Sequence, residues 1–434
     1  MLQFSNLQRQ VIKADFSGGN VTSNAGVFLL REIDKKMNLT SAIALILQDK
    51  RDSGRCTHQL IDMLRQRVYA IALGDEDLND HNELRHDIAL QAAVESSNAL
   101  ASPSTLCRFE AQSNREWAWG IHRILMKNFI ESFSSPPEEL ILDFDATDHK
   151  LFGSQEKRHF HGYYDAYCYL PLYVFCGDQL LVSYLRPASC GGAYHALAVL
   201  SLLVKALRAV WPDVKLIYRG DTGFYTPAII RWCEKNNIRY LVGYTVNKKL
   251  MNHPDVIAAR SQAKQSWEQE GEPQKWFSEV TDYQSASWLF PRRLVIKAEH
   301  NSLGENTRAV LTDFTDDAEA VYAHHYCQRG DMENRIKEQK WLFSDRNSCT
   351  KWWPNQIRVL LASIAYTLLE ALRWYGLGQT EGERWQTRTL RLKLLKIAAV
   401  ITRNTRTIRL CMSSSTPEKI QNLMALAIQR LVPG

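Results

Sequence analysis

The stretch ELILDFDATDH, residues 139–149, decides the fold class. Its side chains alternate: Leu142 and Phe144 fall on one face, Asp143 and Asp145 on the other, which is the period of a strand. Downstream, YYDAYCYLPLYVF (163–175) and QLLVSYLRPA (179–188) read as two more strands separated by the turn CGD. Then GAYHALAVLSLLVKALRAVW (192–211) has helical spacing, VKLIYRGD (214–221) reads as a strand, TPAIIRWCEKNN (226–237) as a helix and RYLVGYT (239–245) as a strand. Three consecutive strands followed by helix–strand alternation predict an antiparallel meander continued by parallel crossovers. That is the order of the ribonuclease H-like fold, so an α/β core of this class is expected.

Outward from this core, the N-terminal side is helical. Apolar residues recur at helical spacing in SNAGVFLLREIDKKM (23–37) and CTHQLIDMLRQRVYAIALG (56–74), giving a helical region 1–135. The polar loop GDEDLNDHNELRHD (74–87) is not a calcium loop. Counting from Asp75, its sixth position is Asp80 rather than glycine and its twelfth is His86 rather than glutamate. Its acids read as loop and helix-capping residues. SPSTLCRFE (102–110) has helix-start signals and opens either a DNA-facing helix or a plain structural one.

The core, 136–249 and 321–378, is interrupted at 250–320 by a β-rich insertion. The insertion starts polar and carries strand-like runs KWFSEVTDY, RRLVIKAEH and RAVLTDF. After it, YCQRGDMENRIKEQK (326–340) reads as a helix placing Tyr326, Arg329, Glu333, Lys337 and Lys340 on one stripe. Met332 and Ile336 supply little apolar surface there, and alone the stripe reads as a solvated charged face. NQIRVLLASIAYTLLEALRWYG (355–376) is an apolar core helix, and 379–434 is a helical, basic C-terminal region. From Arg384 to Leu410 it carries eight Lys/Arg and no acid, so it is either a solvated face or a phosphate contact.

With 434 residues, two or three domains are expected. The net charge of +6 is compatible with nucleic acid and does not establish it. Nine scattered cysteines without a CxxC pair argue against a zinc ribbon or disulfide framework and for reduced thiols. The start MLQFSNLQRQVIKADFSGG lacks an apolar signal core, and ALAVLSLLVKAL is short and carries Lys205. A soluble cytoplasmic protein is expected.

Asp145 lies in the first strand, Asp221 ends a later strand where side chains meet the usual ligand crevice, and Glu333 follows the insertion. Brought together, the three make hard oxygen ligands suited to magnesium or manganese, with two ions able to serve phosphodiester chemistry. Asp143 shares a strand face with Asp145 and competes with it for the first place.

These motifs resemble the DDE transposases of bacterial insertion sequences, in the branch with a Tyr-x2-Arg-x3-Glu-x6-Lys signature. Tyr326, Arg329, Glu333 and Lys340 match that spacing without a gap. DFDATDHKLFG, HFHGYYDAYCYLPLYVF, RGDTGFY, YLVGYTVN and WWPNQIRVLLASIAY resemble in particular the insertion-sequence family numbered thirteen-eighty, over nearly the whole chain. The resemblance implies metal-dependent cleavage at terminal inverted repeats and strand transfer into target DNA. It implies that Asp145, Asp221 and Glu333 are the catalytic, Mg2+- or Mn2+-holding acids, two ions to a site. Asp145 is preferred to Asp143 because its D-x-T context matches the family's first motif. By the same resemblance Tyr326, Arg329 and Lys340 contact DNA, the helical region 1–135 and the basic C-terminal segment recognise the DNA ends, and the active DNA complex is a dimer. In related transposases a tryptophan of the insertion stacks on a flipped base; Trp276 and Trp288 are candidates, although a packing role suits each better. His159 and His161 are near the first acid and read as solvated or hydrogen-bonded rather than as ligands. Two rival functions are a ribonuclease H-like nuclease or resolvase without strand transfer and a non-catalytic, transposase-derived DNA-binding protein.

Overall fold

The computed structural model of the protein describes residues 2–49 and 51–432. The chain forms two compact units: Met1–Ile124 with Glu338–Ser344 and Leu360–Gly434, and Leu125–Lys337 with Asp345–Val359. Among the described residues, no helix is long and apolar enough to cross a membrane.

The second unit is mixed α/β and built on one large sheet. Its strands are β1 (Glu139–Ala146), β2 (Leu172–Cys176), β3 (Gln179–Tyr184), β4 (Lys215–Gly220), β5 (Arg239–Tyr244), β6 (Lys275–Val280), β7 (Leu294–Asn301) and β8 (Gly304–Thr312). In space they run β6-β7-β8-β5-β4-β1-β2-β3. β1, β2 and β3 are antiparallel neighbours, β4 is parallel to β1, and β5 is parallel to β4. Helices α1 (Ala196–Val210) and α2 (Pro227–Lys235) lead into β4 and β5. α2 starts as its sequence dictates, with Pro227 in the first turn and the Thr226 hydroxyl accepting from the Ile229 N–H.

Strand parity sorts the sheet into two faces. Leu140, Leu142, Phe144, Leu216, Tyr218, Tyr240 and Val242 join the core that α1 and α2 cover. Ile217 and Leu241, with Ile141 partly buried beside them, pack instead on Phe314, Val321 and Tyr322. Full burial of each such side chain contributes about 1.5–3 kcal/mol, so a one-residue slip, which would exchange the faces, is strongly disfavoured. Asp143, Asp145 and Arg219 share the parity of the second face and are buried there.

Several elements depart from the sequence reading. The expected strand 163–175 is broken at Pro171, which has no N–H for a ladder. Its first half, Ala166–Tyr169, leaves the main sheet and pairs with His149–Lys150 and His159–His161 in a small three-stranded sheet. The insertion opens with a long helix, α3 (Pro254–Glu270), and its strands continue the main sheet through the antiparallel pairing of β8 with β5. That pairing satisfies a strand edge that would otherwise be bare. The 326–340 helix begins later: α4 spans Gly330–Trp341, after a π turn over Ala320–Tyr326 and a 3-10 turn over Cys327–Arg329. Met332 and Ile336 do serve as its docking stripe, for both are buried.

The first unit is mainly helical. Val27–Met37, Leu39–Ile46 and the C-terminal Glu418–Leu431 each bury one face, whereas Leu60–Leu73 is buried on nearly every side. Its buried charges are paired: Arg67 Nε donates to Glu110 at 2.9 Å, and Tyr69 donates to Asp34 at 2.8 Å. Ser102 caps Pro103–Ala111 and Asp87 caps Ile88–Val94, the plain structural roles open to them from sequence. The basic region is not helical throughout. Ala399–Arg403 and Ile408–Met412 form a hairpin that pairs with Val21–Thr22, a non-local contact that local periodicity does not reveal.

Candidate active site

Asp145 stands near the carboxyl end of β1 on its buried face. Its Oδ1 accepts from the Ala146 N–H at 2.8 Å. Asp221 follows β4, the strand parallel and adjacent to β1. It caps the short turn Thr222–Phe224, its Oδ1 accepting from the Gly223 N–H at 2.8 Å. The two carboxylates therefore lie at the carboxyl ends of neighbouring parallel strands, and local backbone bonds set the orientation of each.

Both face one cation. Arg329 Nη2 is 3.1 Å from Asp145 Oδ2 and 3.5 Å from Asp221 Oδ2. Burial disfavours the guanidinium's charge, yet Asp145 and Asp221 hold Arg329 above its ordinary value. Asp145 remains over-charged despite this partner. Burial pushes its carboxyl up to about 6, Arg329 opposes the shift, and the negative charges of Asp221 and Glu333 add to it. Glu333, on the exposed side of α4, thus acts electrostatically on the first acid. Among the described residues no three acids, histidines or cysteines stand ready-made as a metal cage. The donor chemistry nevertheless fits a hard divalent cation: carboxylate oxygens from two strands already converge on a positive group, with negative charge to spare. For a metal to occupy that place, Arg329 must move.

Asp143, the competitor for the first place, is otherwise engaged. Its Oδ2 accepts from Arg219 Nη2 at 2.8 Å, and both residues are about 5% exposed. Arg219 also donates to the His325 carbonyl, joining β1 and β4 to the segment that carries Arg329. Sequence reasoning missed Arg219; its only trace is an arginine of strand parity two residues before Asp221.

Tyr326 lies against β5. A Cβ built on Gly243 would meet the Tyr326 hydroxyl at 2.8 Å and the Thr222 N at 2.7 Å, so the absence of a side chain there lets the phenol and the Asp221 turn approach. Gly243→Ala should cost about 1–3 kcal/mol through overpacking and displace the Asp221 turn. Thermal unfolding together with activity checks this; a variant unchanged in both would contradict it.

The remaining candidates fall elsewhere. Lys340 belongs to the stretch of α4 counted with the first unit. Trp288 is buried, donates to the Tyr225 hydroxyl at 2.6 Å and packs edge-on to Tyr244, which leaves no face for a base. Trp276 is 36% exposed, its indole N–H donating to Ser266. His159 is exposed and His161 half-buried beside Tyr164. Of the eight basic residues, Arg391 donates to the carbonyls of Ile71, Ala72 and Trp341, and Lys396 pairs with Asp75. Arg388 and Lys393 lie over the rings of Trp341 and Trp385. Arg403, Arg406 and Arg409 are exposed on the hairpin.

The model of a family described as transposase DDE domain group 1 matches residues 4–433. No curated protein matches the chain. Among solved structures, the chain is similar to one titled as the cryo-EM structure of the piggyBac transposase synaptic complex with hairpin DNA. The two are 12% identical with a TM-score of 0.43, over 94% of this chain and 86% of that one.

Proposed function

Since this chain belongs to the transposase DDE domain family, we propose that it cuts DNA at the terminal inverted repeats of an insertion sequence and joins the freed 3′ hydroxyl to target DNA. The carrying observation is the convergence of Asp145 and Asp221, from adjacent parallel strand ends, on one cation, with the charge of Glu333 acting on the first acid. The match of Tyr326, Arg329, Glu333 and Lys340 to the Tyr-Arg-Glu-Lys spacing supports the bacterial branch and the β1–β5 order supports a ribonuclease H-like core.

Asp145, Asp221 and Glu333 would hold Mg2+ or Mn2+, which when bound activates a water or terminal hydroxyl and stabilises the leaving oxygen of the phosphodiester. Arg329 is the residue that must yield. Released from the acids, its planar fork suits bidentate contact with a DNA phosphate, and Lys340 adds a point charge. Tyr326 is not needed as a nucleophile, because hydrolysis followed by attack of the DNA's own 3′ hydroxyl forms no covalent protein–DNA intermediate; burial holds its phenol above the ordinary value. Two DNA ends imply two copies in the active complex. The site of action is wherever the element's DNA lies, the cytoplasm of a bacterial cell.

Arg329→Gln should bind Mn2+ about tenfold more tightly than the parent in the absence of DNA, because a competing charge at 3.1–3.5 Å is gone. Titration followed by the electron paramagnetic resonance of free Mn2+ measures this directly. Equal affinities would show that Arg329 does not occupy the metal's place.

The function itself is tested with purified protein, Mg2+ or Mn2+, a labelled duplex carrying the element's end and a supercoiled plasmid. Cleavage followed by joining establishes the transposase. Cutting without joining makes it a nuclease, and metal-independent binding without product makes it a DNA-binding relic.

A further inference from the structure

The small sheet that leaves the core directly after Asp145 is built unlike the rest of the second unit. Its base is firmly seated. His149 is fully buried and hydrogen-bonded to Tyr173 and Asn347, and Tyr169, also fully buried, donates to the Glu156 carbonyl at 2.6 Å. The Glu156 N–H donates to the Thr350 carbonyl, and its carboxylate accepts from the Trp352 N–H at 2.9 Å. A loop anchored so tightly can carry side chains in fixed positions.

What it carries outward is aromatic. Phe152 is 89% exposed, Tyr163 85%, and Phe160 and Tyr167 46% each. Single exposed aromatics are ordinary, but four within residues 152–167 on one anchored loop are not. Phe160 and Tyr167 are directly opposed in register, their rings 5.6 Å apart, and the Arg158 guanidinium sits 4.8 Å over the Tyr167 ring. Tyr163 meets Tyr164 edge-on at 5.0 Å. Lys150 and Lys157 lie on the same loop, Lys150 exposed on the strand and Lys157 over the Trp352 ring. Its acids Glu156 and Asp165 are both exposed, Glu156 accepting from the Trp352 N–H, and the exposed cations Lys150, Lys157 and Arg158 outnumber them three to two. The loop also reaches the acids: Tyr164 feels the charges of Asp148 and Asp145, which add to burial in pushing its phenol up to about 12.

Exposed rings interleaved with cations are the chemistry that binds unpaired bases, ring on ring, with the strand's phosphates neutralised alongside. We propose that the loop 150–167 is a stacking platform for unpaired nucleotides of a DNA strand entering the Asp145–Asp221 site, with Phe160, Tyr163 and Tyr167 as its rings and Arg158 as its cation. The proposal rests on the reading of the protein as a DNA-cutting enzyme. A single strand fits better than an apolar protein partner because the Arg158 guanidinium lies over the Tyr167 ring and the loop follows directly from a strand that carries a phosphodiester-suited site.

The test uses full-length protein and two fluorescein-labelled probes: a blunt 20-base-pair duplex and the same duplex with a six-nucleotide oligo(dT) tail containing one 2-aminopurine. The tail should tighten binding roughly tenfold and quench the 2-aminopurine. Phe160→Ala with Tyr163→Ala should remove that increment and the quenching while leaving affinity for the blunt duplex within about twofold. Phe160→Tyr with Tyr163→Phe should restore both. A tail that adds nothing to the parent's binding, or variants that weaken both probes equally, would overturn the platform and leave the DNA-cutting reading standing. Failure of the parent to bind either probe would overturn both.

Discussion

Asp221→Asn should lower end cleavage by about a thousandfold or more while leaving DNA binding within a few-fold of the parent. The substitution is isosteric, and an asparagine oxygen can still accept from the Gly223 N–H, so the capped turn after β4 persists. What disappears is one of two carboxylates that converge on a single cation. Charge stabilisation at such a site is worth several kcal/mol in the transition state, and each 1.36 kcal/mol is tenfold in rate, which sets about 10³ as the scale. Binding rests on phosphate and base contacts, which this change does not touch. A gel assay for cleavage beside a fluorescence-anisotropy titration separates the two; normal cutting by the variant would remove Asp221 from the site.

Asp143→Asn should unfold the protein more easily, by about 3–5 kcal/mol, because it strands the buried Arg219 without its counter-charge. For a chain of this size that is a fall of roughly 3–6 °C in the midpoint of thermal unfolding. Asp145, two residues on and on the same face, should behave oppositely. Its folded-state value of about 6 lies above the ordinary 3.8, so the folded protein holds this proton more tightly than the unfolded chain. The contribution to stability is therefore present below about pH 4 and lost as pH rises through 6, at most about 3 kcal/mol. In metal-free buffer the stability of the parent relative to Asp145→Asn should decline across that window. Chemical denaturation at pH 4, 5, 6 and 7 checks both residues. A mild Asp143 variant, or an Asp145 difference that rises with pH, would reverse their assigned roles.

The strands β1 to β5 were legible because β1 alternates and the others are short apolar runs bounded by turn residues, both of which are local signals. Parity alone put Asp143 and Asp145 on the face opposite Leu142 and Phe144, as the fold has them. Pro171 was legible too, but reading 163–175 as one strand passed over it. The pairing of β8 with β5 and the hairpin 399–412 with Val21–Thr22 depend on contacts far apart in the chain, which periodicity does not encode. At the site, the sequence put Asp145, Asp221 and Glu333 on suitable elements. It did not disclose that Arg329 would sit against the acids, which depends on where the 314–326 segment crosses the sheet, nor that Arg219 would occupy Asp143, which depends on the register of β4 on β1. Gly243 was invisible for a related reason: its importance lies in the Tyr326 ring and the Thr222 backbone that crowd it.

The wide turn at Ala320–Tyr326 makes the chain's length there a matter of phase. Each residue added to or removed from a helix turns everything beyond it by about 100°, and Arg329 and Glu333 both ride beyond this turn. A one-residue deletion within 320–326 would swing Glu333 from the acid side of the sheet, although no acid had been altered. The tip between β7 and β8, around Ser302 and Leu303, carries no such constraint, since the ladder behind it keeps its register whatever the loop's length. Related chains should therefore vary freely in size at the tip around 302–303, and hold their count from residue 320 to Glu333.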